Sequence, residues 1–209
     1  MNFMKYIWIN PVTRNMYDPD ALQKFLSSHD YIMVEASSHW LETVKEKYKH
    51  AVETAERTLI DMRCPKIIDF IDAYELRDQV TIPDIEPILI HCARELSERE
   101  PLWGYEKIIT TPCRALADLG NSLKLPDTTF IPWNQFLASL GDRLPVIPPK
   151  ESPIPPGFFD ELDCRKISVT EKENICDLFE NFTPDAYHLI ELLYCKDGCH
   201  NGDGICDCK

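Results

Sequence analysis

Tyr6-Ile7-Trp8-Ile9, Asp18-Pro19-Asp20 and Tyr31-Ile32-Met33-Val34-Glu35-Ala36 open the chain in an order that decides its fold. Two apolar runs short enough for buried strands flank a segment in which Asp18 can cap a helix and Pro19 can take its first turn, with helix expected through about Leu26. Trp40 to Leu59 then reads as a long helix with charges of both signs mixed along a solvated face (Glu42, Lys45, Glu46, Lys47, Lys49, Glu53, Glu56 and Arg57). This strand-helix alternation predicts an α/β protein with short, mainly parallel strands flanked by helices.

The alternation continues. Asp84 to Arg99 places Ile85, Ile88, Leu89, Cys92 and Leu96 on one helical face, and Ile108-Ile109 forms a short strand running into Thr110-Thr111-Pro112-Cys113, after which a helical patch follows. Phe130-Ile131-Pro132 leads to a short helix from Trp133 to Leu140, ending at Gly141. Leu144 to Pro156 holds six prolines and reads as an extended crossing segment. Beyond it, Ile167-Ser168-Val169 reads as a strand, Thr170-Glu171-Lys172-Glu173 has capping-box spacing for a helix to about Phe182, and His188 to Leu193 is a short apolar run. The expected organisation is an N-terminal β-α-β-α lobe over 1–60, an α/β lobe over 61–142, and a proline-rich crossing with a C-terminal cysteine loop over 143–209.

With 209 residues and 44% apolar content, the chain can bury a full core in one large or two small domains. A net charge of -13 argues against a surface that tracks phosphates, so no nucleic-acid partner is expected. No basic start followed by an apolar stretch and no apolar run near twenty residues occurs, so neither signal peptide nor membrane span is expected, and the cytoplasm is the expected compartment. Six histidines lack paired ligand spacing, although His200 sits inside the cysteine loop. No Gly-x-Ser-x-Gly, phosphate loop or dinucleotide fingerprint is present.

The chemistry gathers in the nine cysteines. Cys195, Cys199, Cys206 and Cys208 are interleaved with Gly198, Gly202 and Gly204 in a ligand-type loop, since thiolates favour iron-sulfur clusters and zinc while glycines let backbone wrap closely and offer N–H groups to sulfur. Cys64 precedes an expected helix, and Cys113 lies between an expected strand and an expected helix. Such element ends suit metal ligands. Cys92 and Cys176 read as buried small hydrophobes and Cys164 as a surface thiol.

Arg63-Cys64-Pro65, Thr111-Pro112-Cys113 and the run Glu191-Leu192-Leu193-Tyr194-Cys195-Lys196-Asp197-Gly198-Cys199-His200-Asn201-Gly202-Asp203-Gly204 resemble the three signature segments of the iron-iron hydrogenase large-subunit catalytic domain, over roughly residues 60 to 204. Asp84 to Arg99 resembles the helical stretch between the first two segments, and the first sixty residues would stand for a shortened N-terminal lobe. The resemblance implies a 4Fe-4S cluster held by Cys64, Cys113, Cys195 and Cys199. In the family the last of these also bridges to a two-iron unit carrying carbon monoxide and cyanide.

Three departures concern that two-iron unit. Arg63 stands where hydrogen-evolving members have a proton-shuttling cysteine, a task an always-charged guanidinium cannot perform. Leu116 replaces a lysine that hydrogen-bonds cyanide, and Leu193 replaces a methionine that packs on the unit. The cube is therefore expected to be kept, the two-iron unit lost or altered, and hydrogen turnover absent.

The leading expectation is an iron-sulfur redox protein, an oxidoreductase component for electron transfer or redox sensing, with Gly198, Gly202 and Gly204 donating N–H groups to sulfur. The chain lacks ferredoxin-like cysteine clusters, so a redox partner such as a ferredoxin or a reductase subunit is expected. Alternatives are a hydrogenase-like metalloenzyme or cluster carrier with a modified metal unit at Cys199, and a zinc-binding interaction module built on Cys195, Cys199, Cys206 and Cys208. Cys206 and Cys208 lie beyond the family motif and form either a second metal or cluster site or a tail with two idle thiols.

Overall fold

The computed structural model describes residues 5–147, 152 and 156–205. It is α/β, with two small parallel sheets flanked by helices. The chain divides into two compact units whose segments interleave: unit 1 comprises 1–38, 89–153 and 200–209, and unit 2 comprises 39–88 and 154–199. This division does not follow the consecutive lobes expected from the sequence. Parallel pairing is the physical reason, because neighbouring parallel strands need long crossovers and so recruit segments far apart in the chain.

Unit 1 begins with β1 (Lys5–Trp8), α1 (Pro11–Arg14), α2 (Pro19–Ser28) and β2 (Tyr31–Met33). Asp18 caps α2 as expected, its carboxylate accepting from the Ala21 N–H at 2.9 Å. Unit 2 then takes α3 (Trp40–Thr54), β3 (Leu59–Ile60) and α4 (Ile67–Ala73). The long helix expected to Leu59 ends at Thr54, because Ala55 is extended and Leu59 is drawn into a strand beside Leu189.

The chain continues with α5 (Ile88–Glu98), β4 (Glu106–Thr111), α6 (Arg114–Ser122), β5 (Thr128–Pro132) and α7 (Trp133–Leu140), which belong to unit 1 from Leu89 onward. The helix expected from Asp84 starts only at Ile88. Pro83 and Pro87 push the residues before them out of helical conformation. Gly141 closes α7 in a left-handed conformation, φ 70°.

Unit 2 is completed by β6 (Lys166–Thr170), α8 (Lys172–Glu180) and β7 (Leu189–Leu193). The capping box expected at Thr170 is not formed. Thr170 pairs with Leu193 as the last residue of β6, leaving Glu171 to precede α8 at φ 76° without a side-chain cap bond.

In unit 1 the strand order is β2-β1-β4-β5, all parallel. From β1 the chain moves outward to β2 on one side, while β4 leads to β5 on the other, so the order reverses between β1 and β4. In open α/β sheets, the crevice outside the carboxyl ends of the strands at such a reversal is where ligands bind. Asn10 and Thr110 meet there: the Asn10 N–H donates to Thr110 Oγ1 at 3.0 Å and its side-chain amide to Thr13 Oγ1 at 2.9 Å, all three residues being buried.

In unit 2 the order is β3-β7-β6, again parallel. Every residue of β7 is buried, as a parallel strand covered on both faces should be. Ile190 and Leu192 face a core with Ile60, Ile67, Ile71, Ile175 and Phe179, while Leu189 packs with Leu59, Val44, Tyr48, Phe158 and Phe159 on the other side. Glu191 shares the Leu189 face. No helix among the described residues is long and apolar enough to cross a membrane.

Candidate functional site

Three of the cysteines singled out in the sequence follow parallel strands directly. Cys64 lies in the loop after β3, Cys195 in the loop after β7, and Cys113 in the loop after β4, each at the carboxyl end of its sheet. The first two and Cys199 belong to unit 2, and Cys113 belongs to unit 1. All four are half-buried, and none of the described cysteines is in a disulfide.

In unit 2 the pairing of β3 with β7 brings the Cys64 loop beside the Tyr194-Cys195 loop. The ladder runs to its end, where the Asp61 N–H donates to the Ile190 carbonyl at 2.9 Å. The backbone N–H groups of Tyr194 and Lys66 act electrostatically on the Cys64 thiol. Burial pushes the Cys64 thiol up, while these N–H groups and the Lys66 ammonium pull it back. Lys66 also stands 4.1 Å from the centre of the Tyr194 ring.

A buried ionic network fixes this loop. Arg63 Nε lies 3.0 Å from both Asp61 carboxylate oxygens, and Nη2 reaches Asp61 Oδ2 at 2.8 Å and Glu191 Oε1 at 2.6 Å. Glu191 also accepts from the N–H groups of Gly157 at 2.7 Å and Phe158 at 3.1 Å. The guanidinium lies 3.9 Å from the centre of the Phe158 ring, with its side chain 4% exposed. Burial alone would lower the arginine pKa, but the two carboxylates more than offset it and raise the pKa above its ordinary value. Arg63, flagged in the sequence as a departure from a proton-shuttling cysteine, is thus an anchor joining the Cys64 loop to β7.

The fold also gives a use to the glutamate four residues before Cys195. A lone acid in the buried strand Leu189–Leu193 was the available signal, but its partner Arg63 is 128 positions away.

In unit 1 Cys113 occupies the N-cap position of α6 yet makes no side-chain cap bond. The cap comes from the C-terminal segment, where Asp203 Oδ1 accepts from the Arg114 N–H at 3.0 Å. The next residue, Gly204, donates its N–H to the Pro112 carbonyl at 3.0 Å, and its own carbonyl accepts from the Asn134 N–H at 2.8 Å. The Asn134 side-chain amide donates to the Asp203 carbonyl at 3.1 Å. A side-chain carbon on Gly204 would fall 2.8 Å from both the Cys113 nitrogen and the Pro112 carbonyl carbon, so only glycine permits this approach.

These contacts correct one expectation. Gly198 and Gly204 were expected to donate to sulfur, but Gly198 donates to the Cys195 carbonyl at 3.3 Å and Gly204 to that of Pro112. Leu116 and Leu193, two other departures, are buried apolar side chains, as is Cys92.

No group of three or more His, Cys, Asp or Glu side chains among the described residues is placed to hold a metal ion. Cys206 and Cys208, and with them the four-thiolate zinc set and the second metal or cluster site, lie outside the described residues. The thiol chemistry here, with the Cys64 loop set beside the Cys195 loop by the pairing of β3 with β7, is of the kind that suits iron-sulfur ligands. No protein-family model matches the chain, and no curated protein matches it.

Proposed function

We propose that this chain is an iron-sulfur redox protein in which Cys64, Cys113, Cys195 and Cys199 hold a 4Fe-4S cluster for electron transfer or redox sensing, without hydrogen turnover. The observation that carries the reading is the parallel pairing of β3 with β7, which sets the Cys64 loop beside the loop of Cys195. The backbone N–H groups of Tyr194 and Lys66, which pull the Cys64 thiol pKa down against the effect of burial, favour its thiolate. The placement of Cys64, Cys113 and Cys195 at carboxyl ends of parallel strands supports it, and so does the resemblance of their three segments to the iron-iron hydrogenase domain. When bound, the cluster supplies one-electron transfer.

Anchoring of Arg63 between Asp61 and Glu191 supports the absence of an ordinary two-iron unit, because that guanidinium replaces the proton-shuttling thiol. A chain without further cluster motifs needs a redox partner protein, such as a ferredoxin or a reductase subunit. Thiols held as ligands also fit a reducing cytoplasm.

Anaerobic reconstitution with iron and sulfide analysis and EPR tests the reading. Wild type should bind about four irons and four sulfides per chain and show a reduced-cube signal, and Cys64→Ser and Cys113→Ser should each lose it. Full loading in either variant overturns the ligand set, and a colourless protein that retains zinc overturns the cluster.

A further inference from the structure

We infer that Asp203 and Gly204 form a clasp that positions Cys113, so that the C-terminal segment sets the conformation of a cysteine some ninety positions upstream. The use of Cys113 as a ligand rests on the function proposed above, whereas the clasp rests on the contacts of unit 1 alone.

A residue at an N-cap ordinarily offers its own side-chain oxygen to the first helical N–H groups. Cys113 offers none, and α6 would start with unsatisfied donors. Asp203 supplies the acceptor at the Arg114 N–H, and its negative charge suits that end of the helix. Capping therefore does not draw on the Cys113 sulfur.

Gly204 fixes the other side of the same residue. Its N–H holds the Pro112 carbonyl, and its α-carbon sits so close to the Cys113 nitrogen that a methyl group would collide with the backbone. Asn134, at the start of α7, closes the clasp by donating its backbone N–H to Gly204 and its side-chain amide to Asp203. Two hydrogen bonds thus bracket Cys113 through the residues before and after it, two more tie Asp203 and Gly204 to Asn134, and Ile205 follows as a buried apolar anchor, 9% exposed. The glycine-rich tail, which looks in the sequence like a wrap for metal, acts at these positions on backbone.

The clasp can be tested on the full chain without metal. Anaerobic alkylation with iodoacetamide, followed by peptide mass spectrometry, reads Cys113 against Cys64 as an internal reference in the other unit. Asp203→Ala and Gly204→Ala should raise the Cys113 alkylation rate on the order of fivefold to tenfold while leaving Cys64 unchanged. Asp203→Asn, which keeps a capping oxygen, should restore the wild-type rate. Unchanged Cys113 rates in both variants overturn the proposal, as does an equal rise at Cys64, which would make the tail a support for the whole fold.

In reconstituted protein, Asp203→Ala should alter the EPR g-values of the reduced cube and Asp203→Asn should leave them as in wild type. If wild type takes up no iron, the proposed function fails and the alkylation result still decides the clasp.

Discussion

The Cys64 loop of unit 2 and the Cys113 loop of unit 1 both follow a parallel strand and both carry a half-buried cysteine, but different forces hold them. Around Cys64 the anchor is charge: Asp61, Arg63 and Glu191 are each buried, and their interactions are strong only while all three are present. Around Cys113 the anchors are the Asp203 cap on the Arg114 N–H and a close backbone approach, where a glycine without a side chain lets its N–H reach the Pro112 carbonyl. The first loop is therefore sensitive to removal of charge, and the second to addition of volume. A loop can be made rigid by either route.

The largest effect expected from this contrast is that of Arg63→Met. It leaves two buried carboxylates without a countercharge and should cost about 3–5 kcal/mol in urea unfolding followed by circular dichroism. A loss below about 1 kcal/mol would show that the network does not anchor the loop.

Gly204→Ala comes next. A methyl group forced against the Pro112-Cys113 backbone should cost roughly 1–3 kcal/mol, with faster hydrogen exchange at the Arg114 and Asn134 amides. Protection unchanged at both amides would mean that the close approach relaxes without consequence.

Asp203→Ala should be milder, about 0.5–2 kcal/mol, as for a lost helix cap, read from the same denaturation experiment. A cost equal to that of Arg63→Met would remove the distinction between the two loops.

The smallest effect concerns a thiol that belongs to neither loop. Burial, reinforced by the nearby Glu95 and Glu35 carboxylates, pushes the buried Cys92 up to about 12. Its folded-state pKa is raised, so the unfolded chain ionises first. The stability it contributes is whole below pH 9 and is lost as pH rises from there through about 12. Cys92→Ala should flatten that part of the stability–pH curve. An unaltered slope would show that Cys92 ionises in the folded state as readily as in the unfolded one.

Local signals carried much of the fold. Asp18-Pro19 marked the start of α2, and Gly141 the end of α7. The α/β alternation was legible from short apolar runs between helical patterns. What was misread depended on pairing: Leu59-Ile60 is too short to show any periodicity and becomes a strand only beside Leu189-Ile190, and Thr170 fails to cap because it completes a ladder with Leu193. Pro83 and Pro87 mark the late start of α5 locally, against an apolar face that continues upstream to Ile85.

At the candidate site, the cysteine positions at element ends were readable because strand and helix patterns flank them. The partners were not. Arg63 and Glu191 are 128 positions apart, and Arg114 and Asp203 are 89 apart, so nothing local announces either contact.

The sequence by itself determined the α/β class, the placing of Cys64, Cys113 and Cys195 at the ends of elements, and the presence of Arg63 next to Cys64. These follow from side-chain chemistry and from periodicities of two to four residues. Only the tertiary structure decided that the units interleave, that Arg63 is tied to Glu191, that the Cys64 loop lies beside the Cys195 loop, and that Gly204 holds the Pro112 carbonyl next to Cys113. The physical reason is that parallel strand pairing and close main-chain approach join residues that the chain keeps far apart, and neither leaves a pattern along the chain.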